Sequence, residues 1–182
     1  MTKKRLLTGC FVVLLLLWGV RVFMVNKRHT VAQTYYQMQE AFEWNGVLVT
    51  PAEAHLYSLT QFNEIMGVEA KIQNEYDYII CLKVNMENDT GKDIEWDRLI
   101  DGFGYGFETL AWCSSIDPWL GADLNVFHSE TLQDGENQDI WFVTGISRSC
   151  FQKHRFKRLT DMDFYYVLSL YPEPVKIKLK ME

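Results

Sequence analysis

Twenty consecutive residues, Leu6–Val25, carry a single charge, Arg21, and no other stretch constrains the chain as strongly. At about 1.5 Å per helical residue such a run covers roughly 30 Å, the depth of a bilayer's hydrocarbon. Backbone groups in lipid must bond to one another, so the run is expected as a helix. Arg21 lies four residues from its end, where a long side chain can snorkel to the headgroups, and Trp18 sits near the same interface. A cleaved signal peptide has a shorter apolar core and small residues before the cut, whereas this run ends in Val22-Phe23-Met24-Val25 and continues into Asn26-Lys27-Arg28. Leu7-Thr8-Gly9-Cys10 has the residues of a lipidation box, but it precedes the apolar region that such a box follows, so Cys10 reads as an ordinary intramembrane cysteine. Basic flanks on both sides argue against a buried core helix. The expectation is an uncleaved signal anchor: tail and transmembrane segment over residues 1–28, a polar stalk over 29–41 and one domain over 42–182.

Charge sets the orientation only weakly. Lys3, Lys4 and Arg5 precede the run, and Arg21, Lys27 and Arg28 close it, a near tie under the positive-inside rule. The domain is expected outside the cytoplasm because of its type. Those six cations are the only charges in the first 29 residues. They leave 12 Lys and Arg against 24 Asp and Glu, a formal charge of −12 for the rest. Such a surface keeps a domain soluble and makes it a poor general binder of nucleic acid or anionic lipid. About 150 residues is enough for one well-buried core, and 14% aromatic residues argues against disorder. Outside the apolar run Cys81, Cys113 and Cys150 are an odd set, so no disulfide framework is expected. One bridge, Cys113–Cys150, and three reduced thiols are the two open readings.

The domain reads as short strands and tight turns. Asn45-Gly46 announces the strand Val47–Thr50, which Pro51 ends or bends before Ala54–Tyr57. Ser58 and Gln61 form a capping box ahead of Phe62, Ile65 and Met66, with Gly67 as a stop, which predicts a two-turn helix. Tyr76–Met86 alternates, with Tyr78, Ile80, Leu82, Val84 and Met86 facing one way and Asp77, Ile79, Cys81, Lys83 and Asn85 the other. Asn88-Asp89-Thr90-Gly91 is a turn that also matches a glycosylation acceptor. Phe107–Cys113 reads as a strand and Ser114–Leu124 as a loop. Leu132–Glu136 is a second turn before the strand Ile140–Ile146. Phe151–Leu159 is a candidate basic helix, and Phe164–Leu170 and Val175–Leu179 close the chain as strands. About seven short strands with one or two short helices predict a mainly β fold, a β-sandwich, behind a single N-terminal transmembrane helix.

Val84-Asn85-Met86-Glu87-Asn88, the Leu132-x-Asp134-Gly135-Glu136 turn, and Ser169-Leu170-Tyr171-Pro172 followed by Ile177-Lys178-Leu179 resemble the telokin-like, immunoglobulin-like domains of unknown function in exported proteins of Gram-positive bacteria. The resemblance covers about residues 76–180. It implies an immunoglobulin-like sandwich, an extracytoplasmic place behind a membrane anchor, and no catalytic residue.

Chemistry-bearing motifs are sparse. His29, His55, His128 and His154 are scattered and no C-x-x-C occurs, so no metal site is expected. Asp134-Gly135-Glu136 with Asp139 lacks the alternating ligands of a calcium loop. No G-x-S-x-G elbow is present, and Gly102-Phe103-Gly104-Tyr105-Gly106 runs into strand-like residues where a phosphate loop would open a helix. Two binding features remain. Lys153, Arg155, Lys157 and Arg158 cluster in a domain whose other residues carry eight Lys and Arg against 24 acids, a candidate dock for an anionic envelope polymer or lipid phosphate. The bland alternative is a solvated face or an internal partner for acidic loops. Trp112 and Trp119 flank Asp117-Pro118 and would grip a sugar or an apolar patch if exposed; burial is the expected state of such residues. The expected function is a membrane-anchored, non-enzymatic binding module for a partner protein or envelope component, with no cofactor and no nucleic acid. The alternative is an accessory or immunity-type subunit of a membrane protein complex.

Overall fold

In the strand Tyr78–Glu87, Ile80, Leu82, Val84 and Met86 enter one apolar cluster while Ile79 and Cys81 enter another on the opposite face. A strand buried on both faces belongs at the centre of a layered fold. The computed structural model describes residues 3–28, 32–67, 76–110 and 112–181. In chain order the elements begin with α1 (Lys3–Arg28), β1 (Thr34–Gln37), β2 (Phe42–Trp44), β3 (Val47–Ser58), α2 (Leu59–Met66), β4 (Tyr78–Glu87), β5 (Ile94–Glu95) and α3 (Trp96–Asp101). They continue with β6 (Gly106–Thr109), β7 (Trp112–Ser114), α4 (Pro118–Leu124), β8 (Thr131–Leu132), β9 (Asn137–Ile146), α5 (Lys153–Phe156), β10 (Phe164–Ser169) and β11 (Val175–Leu179).

The chain forms two compact units, Met1–Ala32 and Gln33–Glu182. The first is α1, whose span Thr8–Asn26 is long and apolar enough to cross a membrane, a test that a signal sequence also passes. The second is mainly β. One sheet has the order β2-β3-β4-β9, a second β1-β11-β10-β6-β7, and β5 and β8 form a small ribbon. Among the described residues every pairing is antiparallel except β1 with β11.

The two large sheets share one core. Inward residues of β3, β4 and β9 meet Phe107 of β6, Phe164, Tyr166 and Leu168 of β10, and Ile177 and Leu179 of β11. Tyr166 is its hub: its ring lies 5.0 Å from Phe107, 5.5 Å from Phe103 and 5.5 Å from Phe142 between centroids. Its hydroxyl donates to the Phe103 carbonyl at 2.7 Å, so the buried phenol is satisfied. Each such side chain contributes about 1.5–3 kcal/mol by leaving water.

The outer face of the four-stranded sheet is covered at one end by α2 and α4, which bring Phe62 and Leu120 onto Ile79, Cys81 and Val143. The α2 capping box forms as the sequence predicts, and Gly67 ends the helix at φ 64°. α4 replaces the expected loop over Ser114–Leu124. Asp117 caps it, accepting from the N–H groups of Trp119 and Leu120, with Pro118 at the first position. The segment also shields the open edge of β9. Asn125 donates to the Trp141 carbonyl at 2.9 Å and accepts its N–H at 2.8 Å, and the Asp117 N–H reaches the Val143 carbonyl.

Three further expectations change. Among the described residues there are eleven strands, where about seven were expected, and the domain has four short α-helices and two 3-10 turns, where one or two short helices were expected. Phe107–Cys113 is no single strand: β6 and β7 form a hairpin, with Leu110 at the turn and Ala111 outside the described residues. The stalk does not extend to residue 41, because Thr34–Gln37 pairs in register with Val175–Lys178. His29, Thr30 and Val31 lie outside the described residues.

Beyond α2 and α4 the outer face of the four-stranded sheet is polar. Lys83 sits 2.9 Å from Asp139 and 3.4 Å from Glu53, Asn85 donates to Asp139 at 2.9 Å, and His55 lies 3.2 Å from Glu53. The His55 hydrogen bond, then Lys83, hold the Glu53 carboxyl below its ordinary 4.5; Asn85, then Lys83, hold Asp139 below 3.8. Asp139 in turn raises Lys83. The carboxylate contribution is therefore full above those ordinary values and lost as pH falls through the lower folded ones. The Lys83 contribution is full below 10.5 and lost as pH rises through its higher folded value. All three are partly exposed, so each is worth under about 1 kcal/mol. Urea midpoints measured down an acid series are expected to fall as these carboxylates protonate, with the acid-side slope reduced in Asp139→Asn.

Candidate functional site

α5 is only four residues long, and it parts the basic run between two clefts. The first, about 670 Å³, takes Arg155 and Arg158 with the β6 and β10 residues Glu108 and Tyr165, and with Asp161 and Asp163. Its charges are largely matched. The Arg158 Nε lies 3.6 Å from Asp161, Lys178 lies 3.5 Å from Asp163, and Lys176 pairs with Glu108. With Lys176 and Lys178 counted, four cations meet three carboxylates here, so most of the charge is cancelled within the cleft.

The second cleft, about 490 Å³, takes Lys153 and Lys157 together with Arg148, which the sequence reading did not single out. No carboxylate is among its lining residues. Its wall is aromatic: Phe156 meets Tyr78 edge-on at 5.8 Å and Phe151 at 6.1 Å. Arg148 lies over the Phe156 ring at 5.1 Å and donates to Asp77 at 3.3 Å, which fixes its guanidinium at the rim. Lys153 and Lys157 make no ion pair among the described residues. No local signal marks Arg148: it is placed by Asp77, 71 residues away in sequence, whose carboxylate receives both the Arg148 backbone N–H and its side chain.

The two tryptophans do not act together. Trp112 is half-buried and its ring stacks on Phe151 at 6.2 Å, so it backs the aromatic wall of the basic cleft. Trp119 is 83% exposed on α4, against the expectation that both would be covered, and no ring contact joins the pair. Its position at the start of α4 explains this, since Leu120 is the residue that α4 turns onto the sheet.

Cys113 and Cys150 are exposed free thiols, so the Cys113–Cys150 bridge is not formed in this structure. Cys81 is fully buried, and burial pushes its thiol up. A polar thiol reagent is therefore expected to label Cys113 and Cys150 in the native protein and to reach Cys81 only on unfolding, read by mass spectrometry of the peptides. Rapid labelling of Cys81 would contradict its place beneath α2 and α4.

No group of three or more His, Cys, Asp or Glu among the described residues converges as a metal site. The acids of the second turn are engaged locally: Asp134 accepts the Gly91 N–H and Glu136 that of Gln133. Asn88 is fully buried and its amide donates to the Lys92 and Leu132 carbonyls, so the folded chain does not offer it as a sugar acceptor.

No family model and no curated protein matches the chain. Among solved structures, a Clostridium difficile 630 protein described as an uncharacterised β-sandwich protein is similar at a TM-score of 0.53 and 9% identity, over 84% of this chain and 97% of that one. The fold is a β-sandwich. A conserved hypothetical protein from Bacillus anthracis has a TM-score of 0.49 at 13% identity, over 80% of this chain and 95% of its own. The yjhA protein from Bacillus subtilis has a TM-score of 0.40 at 14% identity, over 80% and 99%.

Proposed function

We propose that the chain is a single-pass membrane protein whose sandwich lies outside the cytoplasm and binds an anionic component of the cell envelope, without catalysis. The observation that carries this reading is the cleft that Arg148, Lys153 and Lys157 line together with Tyr78, Phe151 and Phe156, with no lining carboxylate. In a domain of net charge −12, a cation cluster in which only Arg148 has a matching acid, Asp77, is a local exception, and the aromatic wall lowers the dielectric around it. The immunoglobulin-like, telokin-like and Gram-positive parts of the reading rest on the sequence resemblance over residues 76–180. Lys153 and Lys157 supply charge, while Arg148 supplies a fixed fork suited to phosphate or carboxylate oxygens.

The test is binding of the full chain, in detergent micelles, to long-chain polyphosphate and to a cell-wall fraction at low salt. Reversing Lys153 and Lys157 to Glu together is expected to weaken binding about tenfold or more, since each attraction becomes a repulsion. Reversing Arg155 and Arg158, which face carboxylates, is expected to change it far less. Equal effects of the two pairs would place the contact elsewhere.

A second reading has one observation in its favour. Arg21 lies within the apolar span of α1, on a face with Trp18, Val22, Val25 and Asn26. An intramembrane cation is a pairing site for a carboxylate on another spanning helix, which suits an accessory or immunity-type subunit. Recovery of a stoichiometric membrane partner in mild detergent, lost in Arg21→Leu, would favour it.

A further inference from the structure

The register of the five-stranded sheet gives it two distinct ends. Thr34 opposes Val175, Val175 opposes Ser169, and Val167 opposes Gly106, so the start of β1, the β10–β11 turn and the loop before β6 share one end. The β6–β7 turn at Leu110, the start of β10 and the end of β11 share the other.

The first end is unusually apolar for an exposed edge. Tyr105 is 60% exposed, Leu170 54% and Tyr171 87%. Tyr105 and Leu170 line one shallow cleft, and the Tyr105 N–H bonds to the Val167 carbonyl, which holds the two segments side by side. Pro172 and Pro174 complete the turn, with Glu173 its one acid. This is also the end at which the chain arrives from α1. Five residues separate Arg28 from Thr34, a length that reaches at most about 20 Å when fully extended.

We infer that Tyr105, Leu170 and Tyr171 form a face that rests in the interfacial layer of a lipid bilayer, the one that α1 crosses; the inference depends on the anchored reading above. Tyrosine suits that layer because its ring is apolar and its hydroxyl stays hydrated, and leucine adds buried apolar area. A short tether confines the end of the sandwich that carries it near the headgroups, so insertion of three side chains incurs little further loss of freedom. Both basic-run clefts involve α5 or residues next to it, and the first also takes Glu108 and Leu110 from the opposite end of the sheet. Docking in this way leaves that end free to meet a ligand.

The experiment reconstitutes the full chain in nanodiscs of phosphatidylethanolamine and phosphatidylglycerol, with p-benzoylphenylalanine replacing Tyr171, Leu110 or Trp18 one at a time. After irradiation, lipid adducts are read by mass spectrometry. The expected result is strong lipid adduct at position 18, adduct at 171 at several times the yield at 110, and little at 110. Adduct at 18 but not 171 overturns the docking face while leaving the anchor in place. Equal yields at 171 and 110 overturn it as well. A chain-to-chain adduct at 171 assigns the face to a second copy and overturns the lipid proposal. Absence of adduct at 18 removes the anchored reading, and the inference with it.

Discussion

Gly106→Ala is expected to cost the domain upwards of about 4 kcal/mol, enough to leave much of it unfolded in water. Gly106 has φ 127°, a region that a side chain rarely enters, and a Cβ there would lie 2.2 Å from the Ser114 carbonyl oxygen and 2.7 Å from the Ser115 Cα. Both are backbone atoms beside the β6–β7 hairpin, so no side-chain rotation relieves the clash. Only opening the hairpin would, and that would uncover Phe107, which packs edge-on against Tyr166 at 5.0 Å. Gly104→Ala meets the Val167 carbonyl oxygen at 2.4 Å at φ 87° and is expected to behave alike. Urea unfolding followed by tryptophan fluorescence measures both. A loss below about 1 kcal/mol, the range of an ordinary surface change, would show that the strands do not approach this closely.

Asn88→Asp is the second large effect, about 3–5 kcal/mol at neutral pH. Asn88 is fully buried between the two turns. Its Nδ2 donates to the Lys92 and Leu132 carbonyls, each at 2.8 Å, while its Oδ1 accepts from the Thr90 N–H and hydroxyl. Aspartate keeps the shape and the acceptor but points a charged oxygen at two carbonyl oxygens and removes both donors. Asn88→Ala is expected to cost less, about 2–4 kcal/mol, because the two carbonyls lose their donors without facing a buried charge. The diagnostic comparison is acid: protonating the aspartate restores a donor, so the gap between Asn88→Asp and the parent chain should narrow as pH falls. A gap independent of pH would mean that the carboxyl has turned out to solvent.

Local chemistry made part of this architecture readable in advance. The S-x-x-Q box and Gly67 produce α2 because they satisfy that helix's own end groups. The alternation of residues 78–86 gives β4 two buried faces because side-chain direction in a strand has period two. Asp117-Pro118 carried an equally local helix signal, an N-cap followed by a proline at the first position, which the loop reading of Ser114–Leu124 passed over. Other features had no local signature. β1 exists because its partner lies some 140 residues further on, so Thr34–Gln37 reads as polar stalk in isolation. The division of the basic run between a charge-matched cleft and an unmatched one depends on Glu108, Asp161 and Asp163 converging on one flank only. Arg148 joins Lys153 and Lys157 because it is tied to Asp77 at the start of β4, a link that spacing along the chain does not reveal.

The parallel pairing of β1 with β11 ties the first strand of the sandwich to the last. The five-stranded sheet is therefore incomplete until β11 has been made, since removing that strand strips the neighbour from both β1 and β10. During synthesis Thr34–Gln37 waits unpaired until Val175–Leu179 has been made. Late closure of this sheet follows from that wiring, and so does loss of two strand pairings at once when the chain is cut ahead of Val175.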